Sequence, residues 1–146
     1  MSTAFTALVA ELAAALAAAP ALAGGRIGIN RLRPIPAGQS TAIVLRLDQS
    51  EGSEFVLGLL RWRTTIAVEC YARAVAGSDP AAAVDALLES TWQRLAAFRA
   101  DLLGADVCID PKVKWDYDDS DTPVVCAAIQ LTASQNTSSS SLQAQL

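Results

Sequence analysis

The chain has 146 residues, 52% of them hydrophobic and 18% charged, with 11 Lys and Arg against 15 Asp and Glu, a net charge of −4 and no histidine. A chain of this length forms one domain that buries roughly two thirds of its unfolded surface, so its stability needs neither metal nor disulfide. The missing histidine excludes a His-dependent triad, a His general base and a His-ligated zinc or haem, and without a long basic run there is no electrostatic footprint for gripping a nucleic-acid backbone.

In chain order, Phe5, Leu8, Val9, Leu12 and Leu16 recur at helical spacing and predict an amphipathic helix, capped by Ser2 or Thr3 and stopped by Pro20 and Gly24-Gly25. The same Ala-rich stretch, Met1 to Gly25, offers the small-x-small patterns of a secretory signal at Ala19-Pro20-Ala21 and Ala21-Leu22-Ala23. It lacks a basic start, because the first basic residue is Arg26, and Glu11 interrupts its middle. The favoured reading is therefore a helix of the fold, with a cleaved signal as the alternative. An acidic Glu11 in so short a segment also argues against a membrane span.

Short apolar runs follow at Ile27, Ile29 and Leu32, broken by Pro34-Ile35-Pro36. Ala42 to Leu47 is a predicted strand, closed by an acidic turn or flexible loop that contains Asp48, Glu51 and Glu54. The clearest strand runs from Leu60 to Ala72. Leu60, Trp62, Thr64, Ile66, Val68 and Cys70 lie on its core face, while Arg61 and Arg63 lie on the other, either solvated or turned to a partner.

Ser78 or Asp79 with Pro80 opens a second helix, predicted to reach about Leu103 and to end at Gly104. Its core face is Val84, Leu87, Leu88, Thr91, Trp92, Leu95, Phe98 and Leu102. Val107, Ile109, Val113, Trp115 and Tyr117 then alternate with polar residues in a strand that Pro111 marks as bulged or as an edge. An acidic turn, Asp116, Asp118, Asp119 and Asp121, leads to a last strand, Pro123 to Thr132, that pairs back as a hairpin. From Ser134 the Ser, Gln, Asn and Thr composition predicts a disordered tail, 134–146, after a single domain, 1–133. The sum is an α/β fold of the α+β kind: a mixed, mainly antiparallel sheet with two main helices packed on it.

No catalytic or cofactor-binding residue emerges from this pattern, because GxSxG, Walker and GxGxxG motifs are absent, and Glu11, Glu69 and Glu89 fall in regular elements. Cys70, Cys108 and Cys126 form no CxxC and read as small core residues of a reducing compartment. The four aspartates of the acidic turn are the weak candidate for a hard cation, though they lack the spacing of an EF-hand. The favoured reading is a solvated hairpin tip, with an effect of Mg²⁺ on assembly left open. What stands out is surface chemistry suited to other proteins.

The order of parts resembles the tail terminator (tail completion) proteins of long-tailed bacteriophages and related gene transfer agents. The resemblance is carried by the N-terminal helix with Ala19 to Arg26 behind it, the link Arg33-Pro34-Ile35-Pro36, and the strand Ala42 to Leu47 with its acidic loop. It continues through Arg61 to Arg73, the helix from Asp79, and the closing hairpin, Val113 to Asp119 and Ala127 to Thr132. It implies a structural virion protein without enzymatic activity, six copies of which form a ring that caps the tail tube and ends its polymerisation. The implied partners are further copies of the chain, the tail tube protein and a head-completion or neck protein, with DNA passing through the ring unheld and no membrane involved. The implied location is the head-proximal end of the tail, after synthesis in the bacterial cytoplasm.

Within that ring, Arg61 and Arg63 are expected to meet Asp116, Asp118, Asp119 and Asp121 of a neighbour, while the segment with Asp48, Glu51 and Glu54 is expected to order on contact with the tube. The alternatives are a related ring protein of the neck or of a contractile apparatus, and a small exported binding or catalytic domain.

Overall fold

Period-two patterning decides which face of the sheet is buried, and the computed structural model, which describes residues 2–30, 35, 40–75, 77–98, 105–118 and 123–144, shows how. Helix α1 (Ala4–Ala17) is followed by a 3-10 turn (Leu22–Gly25), strands β1 (Ile27–Ile29), β2 (Thr41–Val56) and β3 (Leu59–Arg73), helix α2 (Pro80–Ala97), and strands β4 (Asp106–Asp118), β5 (Val124–Ser138) and β6 (Ser141–Ala144). The strands form one sheet in the order β1-β2-β3-β5-β4, with β6 joining β5 past the end of β4. β1 runs parallel to β2, and the other pairings are antiparallel. The fold is the expected α+β one.

Both helices pack on one face. Ile66, Val68, Cys70 and Ala72 of β3 lie beside Val125, Ala127, Ile129, Leu131 and Ala133 of β5, and the stripe Leu8, Val9, Leu12 and Leu16 of α1 closes over them with Val84 and Leu95 of α2. These residues are buried. The Ala-rich N-terminal segment therefore supplies much of the core. No helix among the described residues is long and apolar enough to cross a membrane.

Local chemistry sets the helix ends. Thr3 Oγ1 accepts from the Thr6 N–H at 3.3 Å, and Asp79 Oδ1 accepts from the Ala81 N–H at 3.0 Å with Pro80 opening α2. α2 ends at Ala97, with Phe98 extended, short of the expected Leu103. Leu102, Leu103 and Gly104 lie outside the described residues. Trp92 is half-buried at the edge of the core.

The C-terminus of α1 has no basic residue of its own, and a helix leaves its last four carbonyls without partners. Arg94 of α2 supplies a partner for one of them and for two carbonyls just beyond the helix. Its guanidinium donates to the carbonyls of Ala15 at 2.9 Å, Ala18 at 3.0 Å and Pro20 at 2.8 Å. A positive charge at the negative end of the helix dipole adds to these bonds, so one side chain ties α1 to α2.

The structure corrects three expectations. Asp48 to Glu54 is not a loop, because β2 continues through it to Val56. The register slips by one residue at Asp48, between the Leu47–Ile66 and Gln49–Thr65 pairs, so apolar alternation stops where the strand does not. Nor is the chain disordered from Ser134: β5 runs on to Ser138, and β6 folds back against it. Its polar side chains find specific partners there, since Gln135 Nε2 donates to the Ala4 carbonyl at 2.9 Å and Thr137 Oγ1 accepts from Trp62 Nε1 at 2.9 Å. The domain therefore extends past residue 133. Finally, Cys70 and Cys126 are buried as expected, but Cys108 is exposed on β4.

Replacing Arg94 by Met, which keeps much of the aliphatic stem, should lower stability by about 1.5–3 kcal/mol, the range for hydrogen bonds to a charged group. Urea denaturation should show the midpoint falling at constant slope. An unchanged midpoint would mean that the three bonds contribute nothing net.

Candidate interaction surface

Beyond Leu47 the β2–β3 hairpin runs on to its turn as an outer arm of the sheet, with β5 still paired to β3 and the start of α1 lying over Trp62. Its turn is Leu57-Gly58, where Gly58 has φ +82°, a left-handed conformation that favours glycine, and the Gly58 carbonyl accepts from the Ser139 N–H at 2.9 Å. On the helix side, the Trp62 indole lies over Gly52, so closely that a Cβ there would stand 2.8 Å from its ring carbons. The Phe5 ring of α1 meets the same indole edge-on at 5.2 Å. The root of the arm is thus clamped between α1 and β5.

The other side of the arm is open. Arg61 stands across from Ser53 and Arg63 across from Glu51. The Arg61 guanidinium sits 4.5 Å above the Phe55 ring, and its Nε donates to Asn136 Oδ1 at 3.5 Å. At the tip, Phe55, Val56 and Leu57 are exposed, Leu57 to 92%, and Leu142 of β6 is exposed as well.

Arg61, Arg63, Asp48, Glu51 and Glu54 all prove to be exposed, and all belong to this arm or its root. Asp116 and Asp118 are exposed at the opposite end of the sheet, in β4. Asp116 pairs with Cys126, which pairs with Tyr71 of β3; Tyr71 lies about 27 Å along the strand from Arg63, at roughly 3.4 Å per residue. The two charge groups are therefore kept apart within one chain. Asp119 and Asp121 lie outside the described residues. Among the described residues no three Asp, Glu or Cys side chains gather as a metal-holding cluster.

Two grooves flank the sheet. One, of about 270 Å³, crosses the open face between Asp48 and Glu69 on one side and Lys112 and Lys114 on the other; Glu69 accepts an ion-paired hydrogen bond from Arg46. The other, of about 430 Å³, runs between α2 and β4 and is lined by Asp85, Leu88, Glu89, Trp92 and Val113. Trp115 follows on the same face of β4 and is exposed. The strand edges unpaired among the described residues include β2 past Leu45, where β1 stops, and the outer side of β4. Asn30 Oδ1 accepts from the Leu47 N–H at 3.3 Å and blunts the first of these. Pro111 and the slipped register between Ile109 and Val113 blunt the second, which confirms the expected bulge and edge.

Sequence reasoning placed the charged residues of the arm but missed its apolar tip. The signal was present: Phe55-Val56-Leu57 is an apolar triplet directly after the polar run Asp48 to Glu54 and directly before Gly58.

Burial raises the Cys70 thiol to about 11 and the Cys126 thiol to about 12, and it raises the Tyr71 phenol too, with Cys126 and Glu69 adding to the effect. These groups are neutral in the fold and ionise more readily once it opens. They therefore contribute stability in full below pH about 9, and that contribution is lost as pH rises from the unfolded value through 11 and 12. A stability profile should fall above pH about 9 for this reason. A thiol reagent near pH 8 should label Cys108 fast, and Cys70 and Cys126 only on unfolding. Gly52→Ala should cost about 1–3 kcal/mol by driving Trp62 off its seat; a melt equal to that of the parent would show that the indole gives way freely.

No known protein-family model matches this chain, and no curated protein matches it, so the surface is read from its own chemistry.

Proposed function

We propose that the chain is a structural ring subunit that caps the tail tube of a long-tailed bacteriophage or gene transfer agent, ends tube polymerisation and offers its other face to head-completion proteins. The observation that carries the proposal is the outer end of the β2–β3 hairpin, whose turn leaves Phe55, Val56 and Leu57 exposed. An apolar tip of this kind marks a surface made for another protein. The exposed apolar turn at one end and the charged β4 end with Asp116 and Asp118 at the other are unlike surfaces, and contacts between unlike ends close into rings when the rotation allows.

The net charge of −4 suits a lumen that DNA passes without being held. The role is one of assembly, with no cofactor and no turnover, in a virion built in the bacterial cytoplasm. The exported-domain alternative is disfavoured by the packing, because removal of the first 23 residues would strip Leu8, Val9, Leu12 and Leu16 from the core.

The test is light scattering with and without millimolar Mg²⁺, followed by co-pelleting with tail tubes. A species of hexameric mass, alone or on the tube, is expected, and Arg61→Glu with Arg63→Glu should abolish it without changing the melt. Failure of the parent chain to form a ring in solution and to bind tubes would refute the proposal.

A further inference from the structure

We infer that the arm of one copy seats in the groove between α2 and β4 of the next, with Phe55 and Leu57 on its apolar floor and Arg61 against Asp85 and Glu89. The inference rests on the ring reading and names the contact that would close the ring.

Shape and polarity supply the first argument. The groove, about 430 Å³, has a floor of Leu88, Trp92 and Val113 and two carboxylates at its rim. Asp85 and Glu89 are four residues apart on α2, hence neighbours on one helix face. The arm offers the matching parts, since its apolar tip carries a guanidinium already held over an aromatic ring.

Charge supplies the second. On β4, Val113 lies between Lys112 and Lys114, which border the open-face groove. The β4 edge therefore has two carboxylates beside it on its α2 side, and on its open side two lysines with Asp116 after them. On the arm, Arg61 lies on the open face beside the Arg63–Glu51 pair, whereas Glu54 pairs with Leu60 on the opposite face. An arm laid along that edge with Arg61 toward α2 directs Glu54 toward the lysines, so both halves of the contact are satisfied in one orientation.

Distance supplies the third. Val113 pairs with Ile129 and Ile129 with Val68, while the tip begins beyond Leu59, about 30 Å further along β3 at roughly 3.3 Å per residue. A chain cannot place its own tip in its own groove, so on the ring reading the tip received there is that of a second copy. Because the two surfaces differ, the contact is head to tail and repeats from copy to copy.

The test measures the mass of full-length variants in solution, with thermal melts to confirm folding. Arg61→Glu alone, and Asp85→Lys with Glu89→Lys, should each weaken self-association about tenfold or more, and the three changes together should restore it. A Leu57→Asp chain has a spoiled arm and an intact groove, and the Asp85→Lys, Glu89→Lys chain the reverse, so their mixture should stop at one-to-one dimers.

Parent-like assembly of the single-site variants, no recovery in the combined variant, or a parent chain that stays monomeric at high concentration would each overturn the inference. So would loss of assembly on changing Asp116 and Asp118 while the Asp85 and Glu89 variant assembles normally. The ring reading survives any of these if the parent chain still caps tubes, and falls separately if it does not.

Discussion

Strand β3 is hydrogen-bonded to β2 on one side and β5 on the other from Leu59 to Arg73, and the molecule hangs on that double register. A slip of one residue would turn Ile66, Val68 and Cys70 out of the core and bring Arg63, Thr65 and Glu69 into it. The alternation of β3 makes such a slip very costly, so both neighbours are locked to it. The same register carries the arm. Because β3 continues unbroken from core to tip, the position of Leu57 is fixed by residues that never leave the core.

Polar side chains complete what apolar packing begins. Arg94 closes the end of α1, Arg26 donates to the carbonyl and hydroxyl of Thr41 at 2.7 and 3.0 Å, and Gln135 holds the start of α1. Each is a long side chain satisfying backbone or hydroxyl groups that would otherwise be left unpaired at a junction. Gln135 is 2% exposed, and its Oε1 has no hydrogen-bond partner among the described residues. Its amide thus serves one contact fully and leaves its acceptor unsatisfied.

What was legible in the sequence was whatever obeyed a single period. The stripe of α1, the alternation of β3, the Asp79-Pro80 helix start and the bulge near Pro111 all follow from local rules, and the structure has them. What was not legible depended on partners distant in sequence. The outer half of β2 reads as a loop because the slip at Asp48 exchanges its faces, after which Gly52 occupies a position that only the Trp62 ring explains. The end of β5 reads as a polar tail because its buried positions are Gln135 and Thr137, acceptable only where Ala4 and Trp62 await them. The candidate surface was half legible for the same reason: charges announce themselves in composition, whereas the α2–β4 groove exists only after the sheet has formed.

The hydrogen bond from Gln135 to Ala4 spans 131 positions, and it has a consequence for how the chain is made. Helix α1 is synthesised before the surfaces that receive it, at Trp62, Arg94 and Gln135, and these are not complete until β5 has been made. Until then its apolar stripe has no native seat, and contacts between distant parts of a chain are the slow ones to form. The domain therefore reaches its final shape only once β5 is available for α1 to dock against. A nascent chain stalled before β5 would present that stripe to whatever chaperone or neighbour is nearest.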